Sequence, residues 1–274
     1  MSGFLEEMRR SSERRVAEAR RRLPIAALER RLSEVPTAPA LKLAGGFDVI
    51  AELKLRSPAQ GTLADATHDW RGRVRAYAKA GAAAVSVLTE PTRFDGSLEH
   101  LREAAAALTP LGVPAMRKDF IVDPYQVLEA RAVGAGGVLL IARLLRRGDL
   151  ADLIAAAIDH GMFVLLEAFD AADLALCAEL IRAPRPAEGT VLVGVNCRDL
   201  DTLKVEQERF KALAPLLPPH ALGVAESGVA SADDAREVHR LGYRLALVGT
   251  ALMIHEDPAG LLSEIFTATR TVRA

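Results

Sequence analysis

Residues 113–124 read VPAMRKDFIVDP. A short apolar approach, Val113 to Met116, runs into three consecutive charges, Arg117, Lys118 and Asp119, and the chain then turns apolar again. Asp123-Pro124 closes the stretch with a capping carboxylate ahead of a proline at the first helical position, which starts a helix. The whole reads as strand, charged strand end, short loop and helix, which is one βα unit. Side chains of a strand alternate between its faces, so Lys118 points away from Arg117 and Asp119. Lys118 is the candidate for chemistry at the strand end; its two neighbours are candidates for structural ion pairs behind it.

The same rhythm recurs in both directions. Strands are expected at 49–54, 83–89, 113–118, 137–142, 163–167, 191–196, 222–226 and 245–249. Helices are expected at 70–80, 98–108, 124–133, 148–159, 171–180, 206–213, 232–241 and 258–269. Ser97 and a second Asp-Pro pair, Asp257-Pro258, supply further start signals, and Gly81, Gly134, Gly161 and Gly242 follow expected helix ends. The strands are continuously apolar rather than alternating, as in a parallel sheet covered by helices. Eight successive units favour a closed (β/α)8 TIM barrel over an open doubly wound sheet. Residues 1–48 are then an N-terminal helical extension and 49–274 the barrel, within a single domain, since no linker or composition break divides the chain.

Bulk properties narrow the function classes. The chain has 274 residues, half of them apolar, and a formal net charge of −1. No global field favours nucleic acid or an anionic membrane. No apolar run approaches the ~20 residues of a membrane span. Seven arginines between Arg9 and Arg22 are interleaved with Glu13 and Glu18 and preceded by Glu6 and Glu7, a pattern of a charged amphipathic helix rather than an organelle-targeting peptide. A cytoplasmic protein is expected. Two cysteines, Cys177 and Cys197, form no framework or metal clip. His68, His100, His160, His220, His239 and His255 stand at no ligand spacing and away from strand ends, so no metal is expected. No GxGxxG follows the first strand, so no dinucleotide cofactor is expected.

In a barrel of this kind chemistry gathers at the C-terminal ends of the strands. The polar residues there are Glu52 and Lys54, Thr89 and Glu90, Lys118, Glu167, Asn196, Glu226-Ser227 and Gly249-Thr250. Of 35 basic residues only six are lysine, yet Lys54 and Lys118 both end strands. Burial can lower a lysine's pKa until it exchanges a proton near neutrality, which arginine does not do. Two lysines facing Glu52 and Glu167 therefore read as an acid–base set. Ser227-Gly228 and Gly249-Thr250 end strands seven and eight, where glycine lets backbone N–H groups approach an anion and hydroxyls add donors. Ser57, in SPAQG after strand one, offers another hydroxyl. Asp199 and Asp201 in NCRDLDT read as turn residues, and Cys197 as a core or loop thiol.

The stretches IAELKLRSP, SVLTEPTRFDGSLEHL, RKDFIVDPYQVLEAR, VGVNCRDLDTL, VAESGV and LVGTALM together resemble the indole-3-glycerol phosphate synthase family over essentially the whole chain. RKDFIVDPYQ is the most specific of these. The resemblance implies ring closure of 1-(2-carboxyphenylamino)-1-deoxyribulose 5-phosphate, with loss of CO2 and water and without a cofactor. It implies Lys118 as general acid, Glu167 as its acid–base partner, and Lys54 with Glu52 assisting carboxylate binding and dehydration. Asn196 and Glu226 would hold sugar hydroxyls, Arg198 would tie in the strand-six loop, and Glu90 would reach the lysines. Phe94, Phe120 and Leu140 would form the aromatic pocket, and Ser57, Ser227, Gly228, Gly249 and Thr250 would bind phosphate. The partner is thus a small sugar phosphate; a monomer is compatible with the sequence. Leu55, Phe169 and Cys197 depart from the family pattern, where a basic residue, a histidine and an asparagine are usual. They leave two alternatives: a paralogue acting on a related sugar phosphate, and a non-catalytic sugar-phosphate-binding barrel.

Overall fold

A computed structural model describes residues 3–63, 69–181, 190–200 and 202–270; His68 and Asp201 lie outside them. Eight parallel strands form a closed barrel. They are β1 (Asp48–Leu53), β2 (Ala84–Leu88), β3 (Ala115–Lys118), β4 (Gly137–Ile141), β5 (Phe163–Ala168), β6 (Val191–Asn196), β7 (Leu222–Glu226) and β8 (Leu245–Val248). Each pairs with the next in sequence, and β1 pairs with β8 to close the ring. The barrel was the expected fold, and every expected strand is present.

Two helices, α1 (Gly3–Arg22) and α2 (Ile25–Leu32), precede the barrel. The connections carry α3 (Trp70–Lys79), α4 (Pro91–Phe94), α5 (Leu98–Leu108), α6 (Pro124–Ala132), α7 (Arg147–Asp159), α8 (Ala171–Leu180), α9 (Glu208–Leu213) and α10 (Ala232–Arg240), and after β8 come α11 (Thr250–Ile254) and α12 (Pro258–Arg270). The start signals work as read. Asp123 accepts from the Tyr125 amide, Ser97 from the His100 amide, and Asp257 from the Gly260 amide. The short helices α4 and α11 and a small antiparallel hairpin, Arg56–Ser57 with Gly61–Thr62, were not anticipated. Each is too short to show a period.

The two-residue alternation sorts the strands into layers. Val49, Ala51, Val138, Leu140, Val164 and Leu166 face the helices and belong to the larger apolar cluster. Ile50, Ala84, Met116, Leu139, Leu165 and Leu192 belong to a second cluster, filling the barrel interior. Continuing the interior parity upward reaches Glu52, Lys118, Glu167, Asn196 and Glu226, so the same alternation that packs the core lifts polar side chains into the mouth.

The extension is anchored to the exit of β3. α1 buries Leu5, Met8, Ser11, Ser12 and Val16. The Ser12 hydroxyl donates to the Phe120 carbonyl at 2.5 Å and accepts from Gln126 Nε2 at 2.8 Å. Arg15 donates both terminal nitrogens to Asp119, at 3.0 and 2.7 Å. Arg117, 2% exposed, donates to Asp119 at 3.0 Å and to Glu129 at 3.2 Å. The charges flanking Lys118 are structural ion pairs, as their parity required. Among the described residues no helix is long and apolar enough to cross a membrane.

Candidate active site

The mouth of the barrel holds a cavity of about 550 Å³. Lys118 enters it from the end of β3, with Nζ 3.8 Å from Glu167 Oε1 on β5. Lys54, just past β1, places Nζ 2.8 Å from Glu52 Oε1. Asn196, ending β6, donates its side-chain amide to Glu167 Oε1 at 2.5 Å and accepts the Arg198 backbone N–H at 2.9 Å. The amide and Lys118 thus both address the same oxygen of the Glu167 carboxylate, the amide in hydrogen-bond contact and the ammonium farther off. Arg198 is itself held by the Leu203 carbonyl at 2.8 Å.

Glycines make room for two of the acids. A Cβ at Gly194 would stand 1.9 Å from Glu226 Oε1, and one at Gly249 would stand 2.2 Å from Glu52 Oε1. Neither glycine is dictated by a turn; both positions are filled by a neighbour's carboxyl.

Electrostatics in the mouth differ from the expected lowered lysine. Burial disfavours the Lys118 ammonium, but Glu167, Glu52 and Glu226 outweigh it and push its pKa above the usual lysine value. Lys118 therefore stands protonated, a proton donor by default. Burial also works against the Glu52 carboxylate, yet Lys54 and Lys118 hold its pKa below normal. Glu226 goes the other way: burial first, then Glu167, pushes its pKa well above the carboxylate range. The cavity therefore opposes acids of different protonation, the condition for proton transfer in both directions.

At the far end, Ser227, Gly228, Gly249 and Thr250 line the same cavity. Ser227 has φ of +67°, a left-handed backbone rarely adopted by a non-glycine residue, directly after Glu226. Strained backbone of this kind is found at ligand sites. The aromatic wall contains Phe120, in edge contact with Phe4 at 5.8 Å and tilted against Phe94 at 6.3 Å.

Three expected site residues lie elsewhere. Leu140 is fully buried against the helices, because the alternation turns it outward; Leu139 and Ile141 line the cavity in its place. Glu90 is fully buried and caps α4, accepting from the Thr92 and Arg93 amides at 2.9 and 2.7 Å; it does not line the cavity. Ser57 sits on the hairpin and lines a neighbouring cavity, its hydroxyl accepting from the Ala59 amide. His255, set aside as remote from the strand ends, does line the mouth, because the unanticipated α11 carries the chain back to the rim. Phe4, Gln60 and Gln207 also line it and were missed. Phe4 carried no local signal, since its role depends on where α1 docks.

Of the three departures from the family pattern, only Phe169 reaches the cavity, with the Arg143 guanidinium 4.8 Å from its ring centre. Cys197 is buried, and burial pushes its thiol up to about 12. Asp199 accepts from the Thr202 amide at 2.7 Å, as a turn residue does.

Solved structures with the same fold include 3-hexulose-6-phosphate synthase from Salmonella typhimurium, with TM-score 0.61 and 13% identity, covering 82% of this chain and 99% of that one. Orotidine 5'-phosphate decarboxylase from Pyrococcus horikoshii gives TM-score 0.58 at 12% identity, covering 82% of this chain and all of the other. Sequence relatives are much nearer. The indole-3-glycerol phosphate synthase of Parafrankia sp. is 41% identical over 267 residues, covering 96% of this chain and 95% of that protein. That of Nocardioides sp. is 46% identical over 217 residues, 79% of each. That of Methanothermobacter marburgensis is 37% identical over 274 residues, covering 98% and 93%. The family model for indole-3-glycerol phosphate synthase matches residues 5–265. The barrel, its mouth and these relatives agree: the chain belongs to the indole-3-glycerol phosphate synthase family.

Proposed function

We propose that this chain, acting as one domain in the cytoplasm, converts 1-(2-carboxyphenylamino)-1-deoxyribulose 5-phosphate to indole-3-glycerol phosphate. The observation that carries the reading is the protonated Lys118 held 3.8 Å from Glu167 in a cavity that also reaches the Ser227-Gly228 and Gly249-Thr250 loops. Those loops bind the phosphate, so the remote group orients the reacting atoms without touching them. Phe120 and its neighbours pack the aryl ring.

In the first step the ring carbon that bears the carboxylate attacks the ketone. Lys118 delivers a proton to the oxygen as negative charge develops there. Lys54 holds the carboxylate until CO2 leaves, and the released electron pair restores the aromatic ring. The apolar wall helps, because a poorly hydrated carboxylate loses CO2 more readily. In the last step the hydroxyl departs as water with a proton from the lysine–glutamate set, while a carboxylate removes a proton from the adjacent methylene carbon. One proton is consumed overall, because a carboxylate leaves as neutral CO2, and solvent restores it to Lys118.

The test is to incubate purified protein with this substrate and follow the fluorescence of the indole product. Lys118→Met should lower kcat by about 100-fold or more while substrate still binds. Absence of product with the unmodified protein would overturn the assignment, and near-normal activity in the variant would leave Lys118 a structural residue.

A further inference from the structure

Gln207 stands directly before α9, yet its side chain caps nothing in that helix. It crosses instead to the loop after β7, where Nε2 donates to the Gly228 carbonyl at 2.8 Å. The same nitrogen lies 3.4 Å from Asp234 Oδ1, in the first turn of α10. Asp234 holds the far end of that loop, its Oδ2 accepting from the Ala230 amide at 3.0 Å and from the Ser231 hydroxyl at 2.8 Å. Phe210, three residues on from Gln207, presses on the same glycine: a Cβ at Gly228 would stand 2.6 Å from its ring. That ring is set edge-on to Tyr243 at 5.3 Å, and the Tyr243 hydroxyl donates to the Phe210 carbonyl at 3.1 Å. The loop starts at Ser227, whose left-handed backbone is one its own residue type disfavours, so contacts from outside must hold it.

A trans peptide unit is planar, with its C=O and N–H on opposite sides. Fixing the Gly228 carbonyl on Gln207 therefore fixes the Val229 N–H facing the other way. Among the described residues that N–H meets no acceptor, and Val229 lines the mouth cavity. Were this unit to turn over, a carbonyl would face the anion in place of a donor. We infer that Gln207 is a positioning residue for phosphate binding: by holding the Gly228 carbonyl it keeps the amides of the Ser227–Val229 turn presented to the phosphate. It acts through the loop and not on the reacting atoms. The inference rests on the proposed function for placing the phosphate at this turn.

Gln207→Met keeps the length of the side chain and removes the donor, and the exposed position leaves folding intact. Protein labelled with 15N-glycine reads phosphate binding at the loop itself, without turnover. Titrating the unmodified protein with inorganic phosphate should shift the Gly228 amide resonance, and Gln207→Met should need roughly fivefold more phosphate for the same shift. Kinetics supply the second arm. KM should rise by about fivefold in the variant while kcat holds within about twofold. The dephosphorylated substrate, used as a competitive inhibitor, should bind both proteins equally, which a general disturbance of the mouth would not allow. An unmoved Gly228 resonance in the unmodified protein, or equal phosphate affinity in the two proteins, overturns the inference. So does a fall in kcat with KM unchanged, or an equal weakening of the dephosphorylated inhibitor. Failure of the proposed reaction is separately visible, since the phosphate titration distinguishes the two proteins even if neither makes indole product.

Discussion

Removing Asp119 should destabilise the protein far more than removing Arg15, although the two form one bidentate pair. The Asp119 side chain is completely buried and accepts from Arg15 at 2.7 and 3.0 Å, Arg117 at 3.0 Å, the Thr89 hydroxyl at 2.7 Å and the Phe120 amide at 2.8 Å. Asp119→Ala leaves Arg117, itself 2% exposed, with Glu129, the Gln126 carbonyl and the Thr89 hydroxyl as partners, and takes from that hydroxyl its own acceptor. Breaking a buried pair from one side costs about 3–5 kcal/mol. Arg15→Met is milder: Arg15 is 25% exposed, and Asp119 keeps its three other donors. A loss of about 1–2 kcal/mol follows. Urea titration at neutral pH, read by circular dichroism, measures both. The pH dependence gives a further check. Burial raises the Asp119 pKa, but Arg117 and Arg15 outweigh it and hold it far below the ordinary 3.8. Its stabilisation is therefore present above that ordinary value and is lost only as pH falls through the much lower folded pKa. The gap between unmodified protein and Asp119→Ala should stay level down to mildly acidic pH. Equal costs for the two variants, or a cost below about 1 kcal/mol for Asp119→Ala, would refute the account of this network.

Gly194→Ala should fold, since alanine suits a strand better than glycine, with a net stability change within about 2 kcal/mol. Its methyl nevertheless takes the place of Glu226 Oε1, so kcat/KM should fall by roughly tenfold or more in the fluorescence assay; unchanged activity would show that the carboxyl position does not matter. The raised pKa of Glu226 means the folded state binds the proton more tightly than the unfolded one. Stability should therefore decline as pH rises from about 4.5 towards that folded pKa, and Glu226→Gln should flatten the decline in urea titrations across that range. Cys177 and Cys197 are buried with thiols pushed up to about 12, so a thiol reagent at about pH 8 should modify neither until denaturant is added.

The barrel was legible because each βα unit announces itself locally. Asp123-Pro124 starts α6 whatever surrounds it, and a continuous apolar run marks a strand covered on both sides. The polar strand ends were legible for the same reason, since parity alone carries Lys118, Glu167, Asn196 and Glu226 into one mouth. Leu140 shows the limit of reading a strand without its parity, because a single-residue shift exchanges cavity for helix layer. Glu90 shows another limit: a carboxyl at a strand end can be taken up by the first turn of a helix too short to show a period. Phe4 and His255 reach the cavity through α1 docking and the unanticipated α11, relations between distant segments that no local pattern records. The protonation of Lys118 was misjudged because burial and three neighbouring acids act in opposite directions, and only the arrangement in space decides which prevails.

The docking of α1 on the exit of β3 also bears on how the chain is made. Ser12 meets Phe120 and Arg15 meets Asp119 across separations of 108 and 104 residues. During synthesis from the N-terminus the first helix leaves the ribosome well before its partners exist, so its apolar stripe of Leu5, Met8 and Val16 must wait uncovered. Several of its charges suit that interval: Arg9 pairs with Glu6 and Glu13, Arg10 with Glu6, and Arg22 with Glu18, all within the helix. Such pairs support an isolated helix and keep it hydrated. Arg15 and Arg20 instead reach out of the helix, to Asp119 behind Lys118 and to Asp123 at the start of α6, so these two charges find their partners only once β3 and the loop after it are in place.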